Sequence, residues 1–226
     1  MNMTMDEARE LVADAALWPR IRAFLWDFAP QVHPSWVDGL GLLMPLEGLS
    51  DLGSLDVLKN PRVKRIVLSS LGVEPCFHVF PKGDWSRILL LDGGTLESIA
   101  KWLGALACAD ALRRVTDGKV VRELKAGLSG VYPEVFGYTA YFTGIDFQCG
   151  GREAHGCGLQ DVASEGVSIL VSLLGDLPPS LVSRLRLKLP KGMCDSAAPR
   201  LKREACGKAL AKLLKLKFPE AYSLCC

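Results

Sequence analysis

Apolar residues recur at helical intervals along most of the chain, and the strict alternation of a half-buried strand is nearly absent. A first helical stretch runs from near Asp6 to about Leu17, and Pro19 breaks or restarts it. Ile21, Phe24, Leu25 and Phe28 follow as one stripe, which Pro30 and Pro34 close. Val37 to Lys59 mixes Gly, Leu, Ser and Asp without a period and is expected to be an irregular connection. Asn60–Pro61 is a helix start, a capping side chain followed by a proline that needs no N–H there. Val63, Ile66, Val67 and Leu71 are its expected buried face, and Gly72 its end.

Cys76 to Phe80 is the one strand candidate, five residues between prolines. Asp84 caps the next helix, which carries Trp85, Ile88 and Leu89 and stops at Gly93–Gly94. Thr95 is placed to cap a longer helix with Leu96, Ile99, Ala100, Leu103 and Leu106 at helical spacing. Asp117–Gly118 marks a turn, and Val121, Leu124 and Leu128 form another stripe ending at Gly130. Tyr132, Phe136, Tyr138, Tyr141 and Phe142 crowd a short span and are expected to pack on the preceding helices. After Gly158, Leu159, Val162, Gly166, Ile169, Leu170 and Leu173 are again helical in period. A short basic helix, about Ser180 to Leu189, and a longer one, about Pro199 to Phe218, complete the pattern.

The pattern predicts a mainly α fold, an irregular multi-helix bundle with at most a short strand element. The strand–helix alternation of a parallel α/β sheet is missing. Residues 148–158 are glycine-rich and nearly free of large apolar groups. They divide a helical core, 1–147, from a basic helical C-terminal lobe, 159–226, which could also pack on the same core.

With 226 residues, about half of them apolar, the chain can bury a real core. The longest apolar runs fall far short of the ~20 residues that cross a bilayer. The acidic start, Met1 to Leu11, lacks the basic and apolar regions of a secretory signal, so a cytoplasmic location is expected. The eight cysteines are then expected to stay reduced, with Cys76 and Cys108 as small core residues and Cys225 and Cys226 mobile. A net charge of +2 is too small to argue for nucleic acid by itself. Its distribution is uneven, however. Arg184, Arg186 and Lys188, then Lys208, Lys212 and Lys215, bias the tail towards positive charge, either as a solvated face or as a contact for an acidic partner.

Candidate chemistry is sparse. Cys149, His155 and Cys157 are the only cluster with metal-ligand types, in a spacing unlike common zinc knuckles, with Cys194 or Cys206 left to supply a fourth ligand. A thiol- or zinc-dependent protein using the Cys149–Cys157 region, and a basic nucleic-acid-binding module, stay open as alternatives. No phosphate-binding glycine loop is present. His33, Pro34, Ser35 and Trp36 read as a tight turn, with Pro34 fixing the backbone and Trp36 packing inward. No catalytic residue, cofactor or resident metal is assigned.

Asp27-Phe28-Ala29-Pro30-Gln31-Val32-His33-Pro34-Ser35-Trp36 is similar to the N-terminal signature of the SctK family, the YscK- and PscK-like components of type III secretion systems. Arg87 to Ala107, Tyr132 to Phe136, Tyr141-Phe142 and the basic end with Phe218-Pro219-Glu220 resemble the later parts of that family, in the same order. The resemblance implies a non-enzymatic cytosolic adaptor without a cofactor. It would link the inner-membrane ring protein SctD to SctQ, in a sorting platform that also holds SctL and the ATPase SctN, at the cytoplasmic face of the inner membrane. It implies no nucleic-acid partner.

Overall fold

The computed structural model describes residues 17–37, 61–74, 76, 78–145, 158–195 and 202–226. Every regular element among them is helical. The main helices are α1 (Leu17–Leu25), α2 (Pro61–Ser70), α3 (Gly93–Ala107), α4 (Gly118–Gly127), α5 (Leu159–Leu173), α6 (Pro179–Lys188), α7 (Arg203–Lys217) and α8 (Pro219–Cys225). Single turns at Pro34–Val37, Val135–Tyr138 and Lys191–Cys194 and 3-10 turns at Trp85–Leu90 and Thr139–Phe142 join them. The mainly α class holds, and the strand candidate does not form: Cys76 and His78 to Phe80 are irregular. The expected helix at Asp6–Leu17 lies, apart from Leu17, outside the described residues. So do the connection at 38–59, the loop at 148–157 and the start expected at Pro199.

The chain divides into two compact units, one of residues 1–93, 177–191 and 225–226, the other of residues 94–176 and 192–224. This differs from the division read at the glycine-rich segment. Within 159–226, α6 groups with the first unit while α5 and α7 group with the second.

In the first unit α1 buries Leu17, Ile21, Phe24 and Leu25, the stripe its spacing predicts. Phe24 is the centre. It meets Phe28 and Phe80 edge to face, with ring centroids at 5.6 and 5.9 Å. Asp84 does cap, accepting the Ser86 amide at 2.9 Å, but what it starts is a 3-10 turn that buries Ile88, Leu89 and Leu90. The helix expected to start at Thr95 begins two residues earlier, at Gly93. A Cβ on Gly93 would come within 2.8 Å of the Lys188 carbonyl, so only glycine lets the chain turn into α3 there. Ile66, expected on the buried face of α2, is half exposed at 50%, while Leu68 lines a cleft. Pro34, expected to end a helix, opens a helical turn instead.

The second unit is built around α5. Val162 to Leu173 is buried without a break, so beyond its first turn the helix has no solvent face. Its serines are accommodated by bonding backward: Ser168 Oγ donates to Ser164 O at 2.9 Å and Ser172 Oγ to Ser168 O at 2.7 Å. α3 crosses α5 at a pair of glycines, where a Cβ on Gly104 would overlap the Val162 carbonyl and one on Gly166 the Ala100 carbonyl. α7 lays Cys206, Ala209, Leu210, Leu213 and Leu214 inward. α8 follows after the single residue Phe218. Cys225 at its end, expected to be mobile, is grouped with the first unit and is 1% exposed.

Candidate interaction surface

The six cations singled out in the sequence part into two sets. α7 carries Lys208, Lys212 and Lys215, all exposed. At 100° per residue these three fall within about 60° of arc and along about 10 Å of helix, so they form one stripe. Its opposite side holds the buried Leu210, Leu213 and Leu214, which fixes the stripe outward. Lys208 Nζ bonds Glu204 Oε1 at 2.6 Å, one helical turn away, and this exposed ion pair holds the Glu204 carboxyl below its ordinary range. Lys212 Nζ stands 6.0 Å from the centre of the Phe142 ring, and Lys215 makes no ion pair among the described residues.

One edge of α7 lies on an aromatic shelf. Lys217 Nζ sits 4.4 Å from the Tyr138 ring centre and 4.7 Å from that of Trp102, and donates to Glu134 Oε2 at 2.7 Å. That carboxylate, ahead of the bond from Tyr138, raises the lysine's pKa. Trp102 meets Tyr138 edge to face at 5.5 Å, and Tyr141 stands 6.0 Å beyond Tyr138. Lys217 is thus a part of the fold that locks α7 to the turns at 135–142. The sequence flagged the aromatics as packing residues. It did not flag the box they form with Lys217, because Glu134 and Lys217 are 83 residues apart. Leu216 and Tyr141 are left exposed, at 41% and 54%.

The other set is not a surface. Arg184 and Lys188 on α6 are 2% and 1% exposed and cannot meet a partner, contrary to the expectation for them. Their register is the reason. Leu181, Arg184, Leu185 and Lys188 share one face at i, i+3, i+4 and i+7, so the cations stand on the apolar stripe itself. Arg186, between them, is half-buried. Arg184 Nη1 donates to the carbonyls of Phe24 and Leu25, its Nη2 to that of Glu74 at 2.9 Å, and its guanidinium stands 5.1 Å from the Phe28 ring centre. It also lines a cleft of about 690 Å³ with Trp26, Arg65, Leu68 and Val73.

Lys188 Nζ donates to Leu89 O at 2.7 Å and Leu91 O at 2.6 Å, and stands 5.0 Å from the Phe24 ring centre. Burial pulls its pKa down to about 7, with Asp92 opposing the drop. A neutral amine still has two N–H groups, enough for both carbonyls. Between pH 7 and the ordinary lysine range the unfolded chain therefore binds more protons at this site than the folded one, and stability rises with pH. The buried thiols Cys206 and Cys225, raised to about 11 and about 12 by burial, act the other way from about pH 8. The free energy of unfolding should thus climb by roughly 1 kcal/mol from pH 7 to 9, the lysine outweighing the thiols. Urea titrations at pH 7, 8 and 9 should show the climb, and Lys188→Met should flatten it. An equal slope in the variant would refute this account.

The turn at His33 holds the exit of α6. His33 N donates to Leu187 O at 2.7 Å, Trp36 Nε1 to Leu189 O at 2.8 Å, and Lys191 N to Ser35 Oγ at 2.9 Å. Because the Ser35 amide also points at His33 Nδ1, at 3.2 Å, that nitrogen is an acceptor and the Ser35 hydroxyl donates to it at 2.8 Å. Donor and acceptor sides of the hydroxyl are both occupied by the turn. Cys149, His155 and Cys157 lie outside the described residues. Cys194 and Cys206 are buried. Among the described residues no three His, Cys, Asp or Glu side chains assemble a metal site, and no helix is long and apolar enough to cross a membrane.

The arrangement defines a helical protein whose outward chemistry is a lysine stripe beside exposed apolar groups. The chain matches no protein-family profile, no curated protein and no solved structure.

Proposed function

We propose that this protein is a non-enzymatic adaptor of the type III secretion sorting platform, an SctK-like link between SctD and SctQ at the cytoplasmic face of the inner membrane. The observation that carries the reading is where the SctK-like segments fall. Asp27–Trp36 ends in the turn that ties down the exit of α6. Arg87–Ala107 supplies a buried 3-10 turn and then α3. Tyr132–Phe136 and Tyr141-Phe142 flank Tyr138, which meets Trp102 of the Arg87–Ala107 segment in the aromatic shelf beneath α7. The segments that resemble the family are those that build the scaffold, as expected where binding rather than turnover is the task. Adaptor affinity then comes from a few buried anchors, and partner choice from charge complementarity.

The expected result is co-purification with the SctQ-like and SctD-like proteins of the same organism at low salt, and loss of secretion on deletion. Recovery of neither partner would sink the proposal.

A further inference from the structure

The positive charge on and just before α7 has one counterpart within its own helix, Glu204. Lys202, Arg203, Lys208, Lys212, Lys215 and Lys217 stand against the single carboxylate of Glu204. Two of these cations are absorbed by the fold: Arg203 pairs with Asp176, and Lys217 with Glu134 and the aromatic box. Lys208, Lys212 and Lys215 remain outward, held at most by the exposed Glu204 pair, which is worth little in water. Elsewhere among the described residues of the second unit acidic side chains outnumber basic ones, ten to six, so the stripe is a local excess of positive charge on an otherwise net acidic unit.

An apolar margin runs beside it. Around α7, Leu216 falls between Lys212 and Lys217. Lys212 faces Phe142 and Lys217 faces Tyr138, so Leu216 projects over the same turns that expose Tyr141. Charge flanked by two exposed apolar groups is the complement of an amphipathic acidic segment. Three same-face carboxylates of a helix span about 10 Å, the length of the lysine stripe, whereas three on one side of an extended strand span about 13 Å. The stripe contains only lysines, without the planar guanidinium fork that grips a phosphate in bidentate fashion.

We propose that the Lys208–Lys212–Lys215 face of α7, with Leu216 and Tyr141 beside it, is the docking surface for an acidic amphipathic helix of a partner protein. The statement deepens the adaptor reading and rests on it for its biological setting, but its chemistry is testable alone. The probes are two synthetic alanine-based helices with one leucine on the contact face. One carries glutamates at i, i+4 and i+7, the other glutamines at the same places. Binding to the full chain is read by fluorescence anisotropy at low salt.

The glutamate helix should bind, the glutamine helix should not, and added salt should weaken the binding. K208E/K212E/K215E should weaken it about tenfold or more. K208Q/K212Q/K215Q, which keeps helix-forming residues, should show a smaller loss in the same direction. K119E/R122E/K125E removes equal charge from exposed positions on α4 and should leave binding unchanged. Equal binding of the two peptides, an equal loss in the α4 variant, or tighter binding to duplex DNA or to anionic phospholipid vesicles would each overturn the proposal. Failure to recover SctQ- or SctD-like proteins, with the peptide result intact, would instead remove the adaptor reading and leave the surface standing.

Discussion

Replacing Gly166 with valine should unfold the second unit at temperatures where the wild type is intact. Gly166 and Gly104 bring the backbones of α5 and α3 together, and a Cβ at either would occupy the space of a carbonyl oxygen on the facing helix. The obstruction is backbone, so no side-chain rotation relieves it. The helices must move apart, and the buried run from Val162 to Leu173 loses its packing against α3. Alanine at an unconstrained interior helix position would gain about 1 kcal/mol over glycine. Overpacking of this kind costs about 3 kcal/mol or more, so the steric term wins. For a chain of this size the net loss of about 2 kcal/mol corresponds to a drop of about 4–8 °C in Tm for Gly166→Ala, and more for Gly166→Val. Gly137→Ala is the control, because a Cβ there meets nothing within 4 Å. Thermal unfolding followed by circular dichroism checks both. A Gly166→Val protein that melts with the wild type would disprove the close crossing.

Helical content was readable because apolar spacing is a local signal. The stripe Ile21–Phe24–Leu25–Phe28 is buried as its period predicts. Starts marked by Asp84, Asp117 and Pro61 fall where a cap or a proline requires. What was not readable depends on residues far apart in the chain. Gly93 starts α3 because the Lys188 carbonyl, 95 residues later, leaves no room for a side chain. The glycine-rich stretch at 148–158 stood out by composition, whereas the compact units change at Gly93–Gly94 and around α6, where the sequence carries only a glycine pair and Pro178–Pro179.

The candidate surface was half legible for a related reason. Charge composition pointed to the C-terminal helices, and Lys208, Lys212 and Lys215 are exposed there. On α6 the same composition misled, because four-residue spacing puts Arg184 and Lys188 on the apolar stripe with Leu181 and Leu185. Charge type suggested a surface; register placed them inside. The register was available in the sequence and is the better guide wherever the two conflict, since a long cationic side chain can reach backbone carbonyls that an apolar one would leave unpaired.

Arg184→Ala should accordingly cost about 4 kcal/mol, more than any single substitution on the exposed lysine stripe. The guanidinium draws three carbonyls to one point: Phe24 and Leu25 at the end of α1, and Glu74 beyond α2. It also covers the rings of Phe24 and Phe28, at 5.7 and 5.1 Å. Truncation leaves those carbonyls short of donors and opens a void beside the aromatic centre of the first unit. Burial pulls the Arg184 pKa down, so ionisation is disfavoured there, but removing the charge does not remove the need for donors. Arg184→Lys should recover less than half of the loss, because one ammonium cannot serve carbonyls arranged for a planar fork. Trp18, Trp26, Trp36 and Trp85 all lie in this unit, so urea unfolding followed by tryptophan fluorescence reports on it directly. An alanine variant within 1 kcal/mol of the wild type would show that α6 is held by its leucines alone, and a lysine variant equal to the wild type would show that the fork is not required.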